Sequence, residues 1–358
     1  MTHVFVAPHP DDVALSCGGL IASLRELGQN VAIITVFSGG GSTNGLTSYQ
    51  REALGFGSKT LWPVTEAFNR ANVANDWPMG GDFSPPWLAT DDRLEATQSD
   101  ADAAAKRFWQ RSSWYRRASI HNESLAGQAV IDTLSTQGAT YTEDVVDAAS
   151  AGEVTAKRRV EDERYAYFAE ASIVFLDLSD AVFRGYESDE ELLGAPRDDD
   201  SDPYDALRTE ITRLEPQKVY LPLGVGGHVD HQLCRSVGIG LLNESRRWVM
   251  PGPEYAGIVT FYEDFPYALW SDFRRLDQVG MNGELTLPAD VALAPEYADI
   301  TDQLERKITG ISIYESQLDR LFGGKKPMAD AVRAWGRQVG ALGHVDGFAE
   351  RYWASERI

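Results

Sequence analysis

Residues 3–37 read HVFVAPHPDDVALSCGGLIASLRELGQNVAIITVF, and this stretch decides the fold. A short apolar strand over His3 to Ala7 is followed by a helical pattern from Gly18 to Leu27, which Gly28 ends. The next run, Asn30 to Phe37, is almost continuously apolar, as is typical of a parallel strand covered on both faces. The segment therefore predicts a β-α-β unit.

Further strand and helix patterns continue this alternation along the chain. Helices are predicted over 158–169, 206–214 and 232–243, and strands over 173–178, 218–223 and 257–262. From about Pro295 onward the pattern is helical, over 299–321 and again over 328–342. Alternating strands and helices predict a Rossmann-like α/β fold, with a mostly parallel sheet, helices on both faces and a helical C-terminal part.

One long region interrupts the alternation. Residues from about 42 to 155 contain five Trp, at 62, 77, 87, 109 and 114, and show no clean strand pattern. We interpret them as an insertion within a single domain that spans 1–358. The Trp side chains are interpreted as the core of a small subdomain, and a stacking wall for a sugar is the alternative.

Composition excludes several classes of protein. The chain has 33 Lys and Arg against 54 Asp and Glu, for a formal net charge of −21, which disfavours binding to nucleic-acid phosphates. No apolar run approaches the ~20 residues that a membrane helix needs. The N-terminus lacks a cationic segment, and Asp11 and Asp12 interrupt any signal-peptide core, which predicts a cytoplasmic protein. The oligomeric state is left open.

Two polar motifs follow two of the predicted strands. APHPDD occupies 7–12 and GGHVDH occupies 226–231, and ligands bind at the carboxyl ends of strands in open parallel sheets. A catalytic zinc commonly takes three ligands from His and Asp or Glu and keeps one position open. His9, Asp12 and His231 supply such a set, which leaves Asp11 and His228 for proton transfer and charge stabilisation.

The same residues can also be interpreted as purely structural. Asp12 and Asp230 each stand where a side chain can cap the following helix, and His228 and His231 can be ordinary loop residues. The occurrence of both motifs at matching strand ends favours the metal site.

The two motifs together resemble the LmbE-like (PIG-L) family of zinc-dependent N-deacetylases. Weaker matches accompany them, namely Cys17-Gly18-Gly19, RRVED at 158–162, LDLSDA at 176–181, FRG at 183–185, FYEDFPY at 261–267 and YESQ at 314–317. The chain departs from the family pattern at Val229, where Pro is usual. It departs again at Gly226, where some members have a Tyr, and this second departure bears on the substrate.

The resemblance implies a metal-dependent hydrolase that removes an N-acetyl group from a glucosamine-type sugar or sugar conjugate. It implies one zinc per chain, with ferrous iron as the alternative, held by His9, Asp12 and His231. Asp11 is then the general base, His228 stabilises the oxyanion, and Arg159 and Asp180 line the sugar pocket. The alternatives are an amidase acting on another N-acyl or thiol-conjugate amide, and a non-catalytic carbohydrate-binding relative.

Overall fold

The computed structural model describes residues 1–40, 47, 49–50, 143–247, 257–269, 285–287 and 291–355. Most of the predicted insertion at about 42–155, including its five Trp, lies outside these residues, and its role stays a prediction. The chain divides into two units, Met1–Val73 with Asp147–Ile358, and Ala74–Val146. All strands below belong to the first unit, and none of its described helices has the length and apolarity to cross a membrane.

The described strands form one mixed sheet of eight strands. In chain order they are β1 (Thr2–Ala7), β2 (Asn30–Thr35), β3 (Ser172–Phe175), β4 (Lys218–Pro222), β5 (Val259–Tyr262), β6 (Leu285–Leu287), β7 (Val291–Asp299) and β8 (Ala349–Ser355). Their order in the sheet is β3-β2-β1-β4-β5-β8-β7-β6. Strands β1 to β5 pair in parallel, and the remaining pairs are antiparallel.

Helices connect and cover these strands. In chain order they are α1 (Asp12–Glu26), α2 (Glu143–Phe168), α3 (Asp189–Leu192), α4 (Tyr204–Leu214), α5 (Val229–Arg247), α6 (Leu304–Ile311), α7 (Glu315–Phe322) and α8 (Lys325–Leu342). The predicted mostly parallel α/β fold is confirmed by this arrangement and by the similarity to solved structures described below. Helix α2 begins well before the predicted start at residue 158.

The topology places both sequence motifs at one point of the sheet. Strand β1 lies between β2 and β4, so the chain leaves β1 towards one edge and returns to its other side at β4. In doubly wound sheets, ligands bind beyond the carboxyl ends of the strands at such a switch point. The segments after β1 and after β4, which hold the two motifs, are therefore neighbours in space.

Helix α1 is buried along most of its length, because it packs between the sheet and the C-terminal helices. A Cβ atom at Gly19 would lie 2.5 Å from the Ile300 side chain, so only glycine permits this close approach. The helix also begins at Asp12, six residues before the predicted start at Gly18. Its first turn thus belongs to the polar segment that follows β1.

The C-terminal part contains strands that the sequence pattern did not predict. Helices α6, α7 and α8 agree with the expected helical pattern, but β7 and β8 pair as antiparallel strands on either side of them in the chain. Pro295, opposite Trp353, lies within β7. Proline is rare inside strands and acidic residues are depleted there, so the segment VALAPEYAD has a weak strand signal.

A buried ion pair within this C-terminal part contacts α1. Lys307 Nζ lies 2.7 Å from Glu350 Oε1, and both side chains are 5% exposed. The Glu350 carboxylate also accepts hydrogen bonds from the backbone N–H groups of Gly19 and Leu20 and from the Tyr352 hydroxyl. Glu350 is therefore saturated with donors and fixes the middle of α1 against β8.

We expect Glu350→Ala to lower the free energy of unfolding by about 3–5 kcal/mol, because the Lys307 ammonium would stay buried without its partner. Glu315→Ala is the control, since it removes an ion pair with Lys325 whose side chains are 65% and 60% exposed. That change should cost less than about 1 kcal/mol. Urea unfolding of both variants measures the difference, and equal losses would contradict the structural role of the buried pair.

Candidate metal centre and active site

The segments that follow β1 and β4 bring the predicted metal ligands together. Asp12 Oδ2 lies 3.4 Å from His9 Nδ1 and also 3.4 Å from His231 Nε2. All three side chains are buried. Asp12 does not cap α1 with its side chain, because its carboxylate accepts a hydrogen bond of 2.8 Å from the backbone N–H of His9.

The orientation of His9 is set by Asp230. His9 Nε2–H donates to Asp230 Oδ2 at 2.8 Å, so a neutral His9 ring has its unprotonated Nδ1 facing Asp12. The same carboxylate accepts hydrogen bonds from the Ala181 N–H and from Arg184 Nη2. Asp230 is fully buried, and its carboxylate contacts His9, Ala181 and Arg184. It therefore orients His9 and is more than a cap of the helix after β4.

A second carboxylate orients His231 in the same manner. His231 Nδ1–H donates to Asp264 Oδ1 at 2.6 Å, so Nε2 is the free nitrogen that faces Asp12. Asp264 is held in turn by the backbone N–H of Val225. Carboxylates that accept the outer N–H of metal-binding imidazoles fix the tautomer and raise the basicity of the ligating nitrogen.

The distances from Asp12 to the two histidines fit a transition metal. Metal–ligand bonds of about 2.0–2.1 Å in a tetrahedral site place neighbouring donor atoms about 3.4 Å apart, which is the separation of Asp12 from each imidazole nitrogen. The local field also favours a cation: burial lowers the pKa of His9, but Asp180, Asp12 and Asp230 more than reverse this and raise it to about 10.

Among the residues that the structure describes, two groups of ligand atoms lie entirely within 4.8 Å of one another, and the predicted set is not one of them. One consists of His9, His228 and His231, and the other of His9, Asp180 and Asp230. The second group is disfavoured, because Asp230 already accepts hydrogen bonds from His9, Ala181 and Arg184. The first group consists of histidines alone, a composition that also occurs in catalytic zinc sites, and it shares His9 and His231 with the predicted set.

Asp11 occupies an unusual backbone position beside the three ligands. Its φ angle is 101°, a region that non-glycine residues seldom adopt and that often marks functional sites. The side chain is buried and lines the cavity above the histidines, and no hydrogen bond to it is found within the described part of the chain. Burial, followed by the negative charge of Asp12, raises the pKa of Asp11 to about 8.

His228 faces the same cavity with a defined tautomer. Its Nδ1 accepts a hydrogen bond of 3.2 Å from the backbone N–H of Asp230, so a neutral ring carries its proton on Nε2. Burial, together with the positive charge that His9 can carry, lowers the pKa of His228 well below its usual value. The ring is thus a neutral hydrogen-bond donor.

Of the two residues predicted to line the sugar pocket, the structure brings one to the cavity. Asp180 lines it and lies 3.4 Å from Arg158 Nη1. Arg158 also lines the cavity, whereas Arg159 does not. Arg159 is 40% exposed, pairs with Asp177 and lies over the Phe175 ring, because adjacent helical residues point to different sides of α2.

The Gly226 departure from the family pattern has a structural counterpart. Gly226 has a φ angle of 91°, and a Cβ atom there would lie 2.6 Å from the Tyr267 ring. Tyr267 fills this space, lies edge-on to the His231 ring with centroids 5.7 Å apart, and lines the cavity. The absent side chain at residue 226 is thus replaced in space by an aromatic ring from the segment after β5.

Sequence reasoning left the supporting residues of the site unassigned. The sequence indicates only a helix-capping role for Asp230, and it contains Asp264 only within the FYEDFPY match. Arg184, in the FRG match, bridges Asp230 to Asp200 with hydrogen bonds of 2.5 Å and 2.6 Å. The spacing within the HVDH motif gives no signal for this role, because Asp230 acts on His9, which only the fold brings to it.

We expect the purified protein to hold close to one transition metal per chain, and His231→Ala to lose most of it, because two remaining ligands bind weakly. His344→Asn is a matched control: His344 is exposed and has a φ angle of 55°, which asparagine tolerates. Elemental analysis of the wild type and the two variants measures the metal content per chain. Full metal content in His231→Ala would exclude this residue as a ligand.

Comparisons with known proteins agree with this geometry. The family model described as GlcNAc-PI de-N-acetylase (PIG-L) matches residues 4–61. A curated relative, 2'-N-acetylparomamine deacetylase of Streptomyces fradiae, is 30% identical over 218 residues, which are 57% of this chain and 72% of the relative.

Solved structures of deacetylases share the fold. A triple mutant of the deacetylase from the teicoplanin biosynthetic pathway is similar with a TM-score of 0.55 and 18% identity, covering 100% of this chain and 99% of its own. The zinc-inhibited form of teicoplanin deacetylase gives 0.54 and 17%, with 99% and 97% covered. The A40926 pseudoaglycone deacetylase gives 0.52 and 18%, again with 99% and 97% covered.

Proposed function

The chain belongs to the PIG-L (LmbE-like) family of N-deacetylases, and on that premise we propose that it hydrolyses the acetamide of an N-acetylated, glucosamine-type sugar or sugar conjugate. One observation carries the proposal. The free nitrogens of His9 and His231 both face Asp12 at 3.4 Å, in a cavity that Asp11 and His228 also line.

We assign His9 Nδ1, Asp12 Oδ2 and His231 Nε2 as the ligands of one transition metal, with zinc as the expected ion and ferrous iron as the alternative. Such an ion supplies Lewis-acid polarisation of the amide carbonyl and a lowered pKa of water. Two histidines, one carboxylate and an open position are the composition of many catalytic zinc sites.

Asp11 takes the proton of the attacking water in this proposal and passes it to the departing amine. Its side chain lines the cavity beside the ligand Asp12, and its backbone has a φ angle that non-glycine residues seldom adopt. Of the two adjacent aspartates, Asp11 therefore transfers the proton and Asp12 binds the metal. The products are acetate and a free amino sugar.

His228 donates its Nε2–H to the oxyanion that develops on the amide oxygen. The hydrogen bond at Nδ1 from the Asp230 N–H holds the ring in place before the substrate arrives. A donor fixed in advance stabilises developing charge without reorganisation during the reaction. Asp180 and Arg158 supply an acceptor and a donor for sugar hydroxyls on the same cavity wall, and this role replaces the one expected for Arg159.

Release of acetate and amine is the direct test. The metal-loaded protein should deacetylate at least one of N-acetylglucosamine, its glycosides and 2'-N-acetylparomamine, the substrate in the relative's name. Cysteine-conjugate amides form a second panel. Activity confined to that panel would favour the amidase alternative, and sugar binding without any release would favour a non-catalytic carbohydrate-binding protein.

Separate substitutions of Asp11 and Asp12 distinguish their roles. Asp11→Asn keeps the size of the side chain but removes its basicity, so turnover should fall by about 10²–10⁴ while the metal stays bound. Asp12→Ala should lower metal occupancy, and added zinc should restore part of the activity. Near-wild-type turnover of Asp11→Asn with full metal would contradict the base assignment and make His228 the leading candidate.

A further inference from the structure

A cationic side chain in the cavity has no part in the chemistry described so far. Arg320, on α7, lines the cavity that also holds the predicted metal ligands, and Arg158, on α2, lines the same cavity. The two arginines are 162 positions apart (320 − 158) and reach the cavity from different helices. Their convergence is therefore a property of the folded site and does not come from a local run of charges.

Four carboxylates line the cavity, and Asp12, Asp180 and Asp189 accept hydrogen bonds from other partners, whereas no hydrogen bond to the Asp11 side chain is found among the described residues. Asp180 lies 3.4 Å from Arg158 and accepts a hydrogen bond from the Val182 N–H, and Asp189 accepts one of 3.0 Å from the Tyr49 hydroxyl. Among the residues that the structure describes, no carboxylate lies within ion-pair distance of Arg320 and no hydrogen bond to its guanidinium is found.

This arrangement is electrostatically unfavourable for an empty cavity. Burial, and then the positive charge of Arg158, lower the pKa of Arg320 to about 10. Arg158 has Asp180 at 3.4 Å, whereas the guanidinium of Arg320, held partly out of water beside that of Arg158, costs free energy unless an anion joins it. The chain has 54 acidic residues, so a shortage of carboxylates does not explain the missing partner.

We propose that Arg320, together with Arg158, binds a carboxylate or phosphate group carried by the acetylated sugar. This inference rests on the proposed function and narrows its substrate class to anionic N-acetyl sugars. The planar guanidinium matches the geometry of both oxyacid groups and pairs with them in a bidentate manner. Sugar hydroxyls alone would leave the charge of Arg320 uncompensated.

The position of Arg320 near the end of a helix does not account for these features. Arg320 lies in the last turn of α7, where a cation interacts favourably with the helix dipole. That effect needs a positive charge at the helix end, and a side chain directed into solvent supplies it equally well. Its direction into the cavity beside Arg158 requires a separate reason, which an anionic ligand provides.

The test compares kcat/KM of the metal-loaded enzyme for neutral and anionic substrates. The neutral one is N-acetylglucosamine, and the anionic ones are its 1-phosphate, its 6-phosphate and N-acetylmuramic acid. At least one anionic sugar should exceed the neutral one by about tenfold or more, and Arg320→Met should lower that ratio by about 10- to 100-fold. Arg320→Lys keeps the charge without the bidentate geometry and should fall between.

Arg213→Met is the control for loss of an arginine, since Arg213 is 57% exposed on α4 and pairs with Glu210 outside the cavity. It should leave the ratio unchanged. Metal content and thermal unfolding show whether Arg320→Met is folded. If Arg320→Met is not folded, the comparison is made with Arg320→Lys alone. A ratio near one in the wild type, or one that both Arg320 variants leave unchanged, overturns the inference.

A binding measurement separates this inference from the proposed function. Calorimetry with the Asp11→Asn variant reports the affinity for the same four sugars without turnover. Binding of an anionic sugar that Arg320→Met weakens, without deacetylation of any sugar by the wild type, would contradict the function and support the anion site. Deacetylation without any Arg320-dependent preference would support the function and contradict the anion site.

Discussion

Two buried carboxylate–imidazole hydrogen bonds are the constraint on which the site depends. Asp230 holds His9 at 2.8 Å and Asp264 holds His231 at 2.6 Å, so that the opposite nitrogen of each ring faces Asp12. Each of these carboxylates is itself held by a backbone N–H group, from the segments that follow β3 and β4. Rotation of either ring would move its metal-binding nitrogen away from Asp12. Asp230 or Asp264 would then lose the imidazole N–H that donates to it.

The rest of the fold supplies the rigid frame for these bonds. Asp11 keeps an unfavourable φ angle of 101°, which costs about 1–3 kcal/mol and persists only where the surroundings determine it. The helix that follows is packed along most of its length and fixed to β8 through Glu350. Burial of α1 therefore stabilises the first turn on which the aspartates stand. Without this packing, the backbone at Asp11 would relax to a more favourable φ angle.

The sequence predicted the parallel half of the fold and the centre of the site, and it failed where the signal depends on distant partners. The runs around β1, β2 and β4 are apolar enough to be recognised alone, and the motifs that follow them contain the ligands. Strand β7 contains Pro295 and owes its pairing to β8, about sixty residues later, which no local pattern reveals. The family resemblance implies Arg159, whereas Arg158 lines the cavity, because the side of α2 that faces the cavity depends on packing. Arg320 carried no sequence signal, since an arginine in a helical pattern is ordinary.

Anomalous diffraction from crystals of the metal-loaded protein tests the central claim most directly, since two further groups of side chains overlap with the proposed ligands. Data at the absorption edge of the bound metal locate it without assumptions about the ligands. The account predicts one peak per chain at about 2.0–2.2 Å from His9 Nδ1, Asp12 Oδ2 and His231 Nε2, with Asp11 and His228 outside bonding distance. A peak bonded to His228, or one between His9, Asp180 and Asp230, would contradict it.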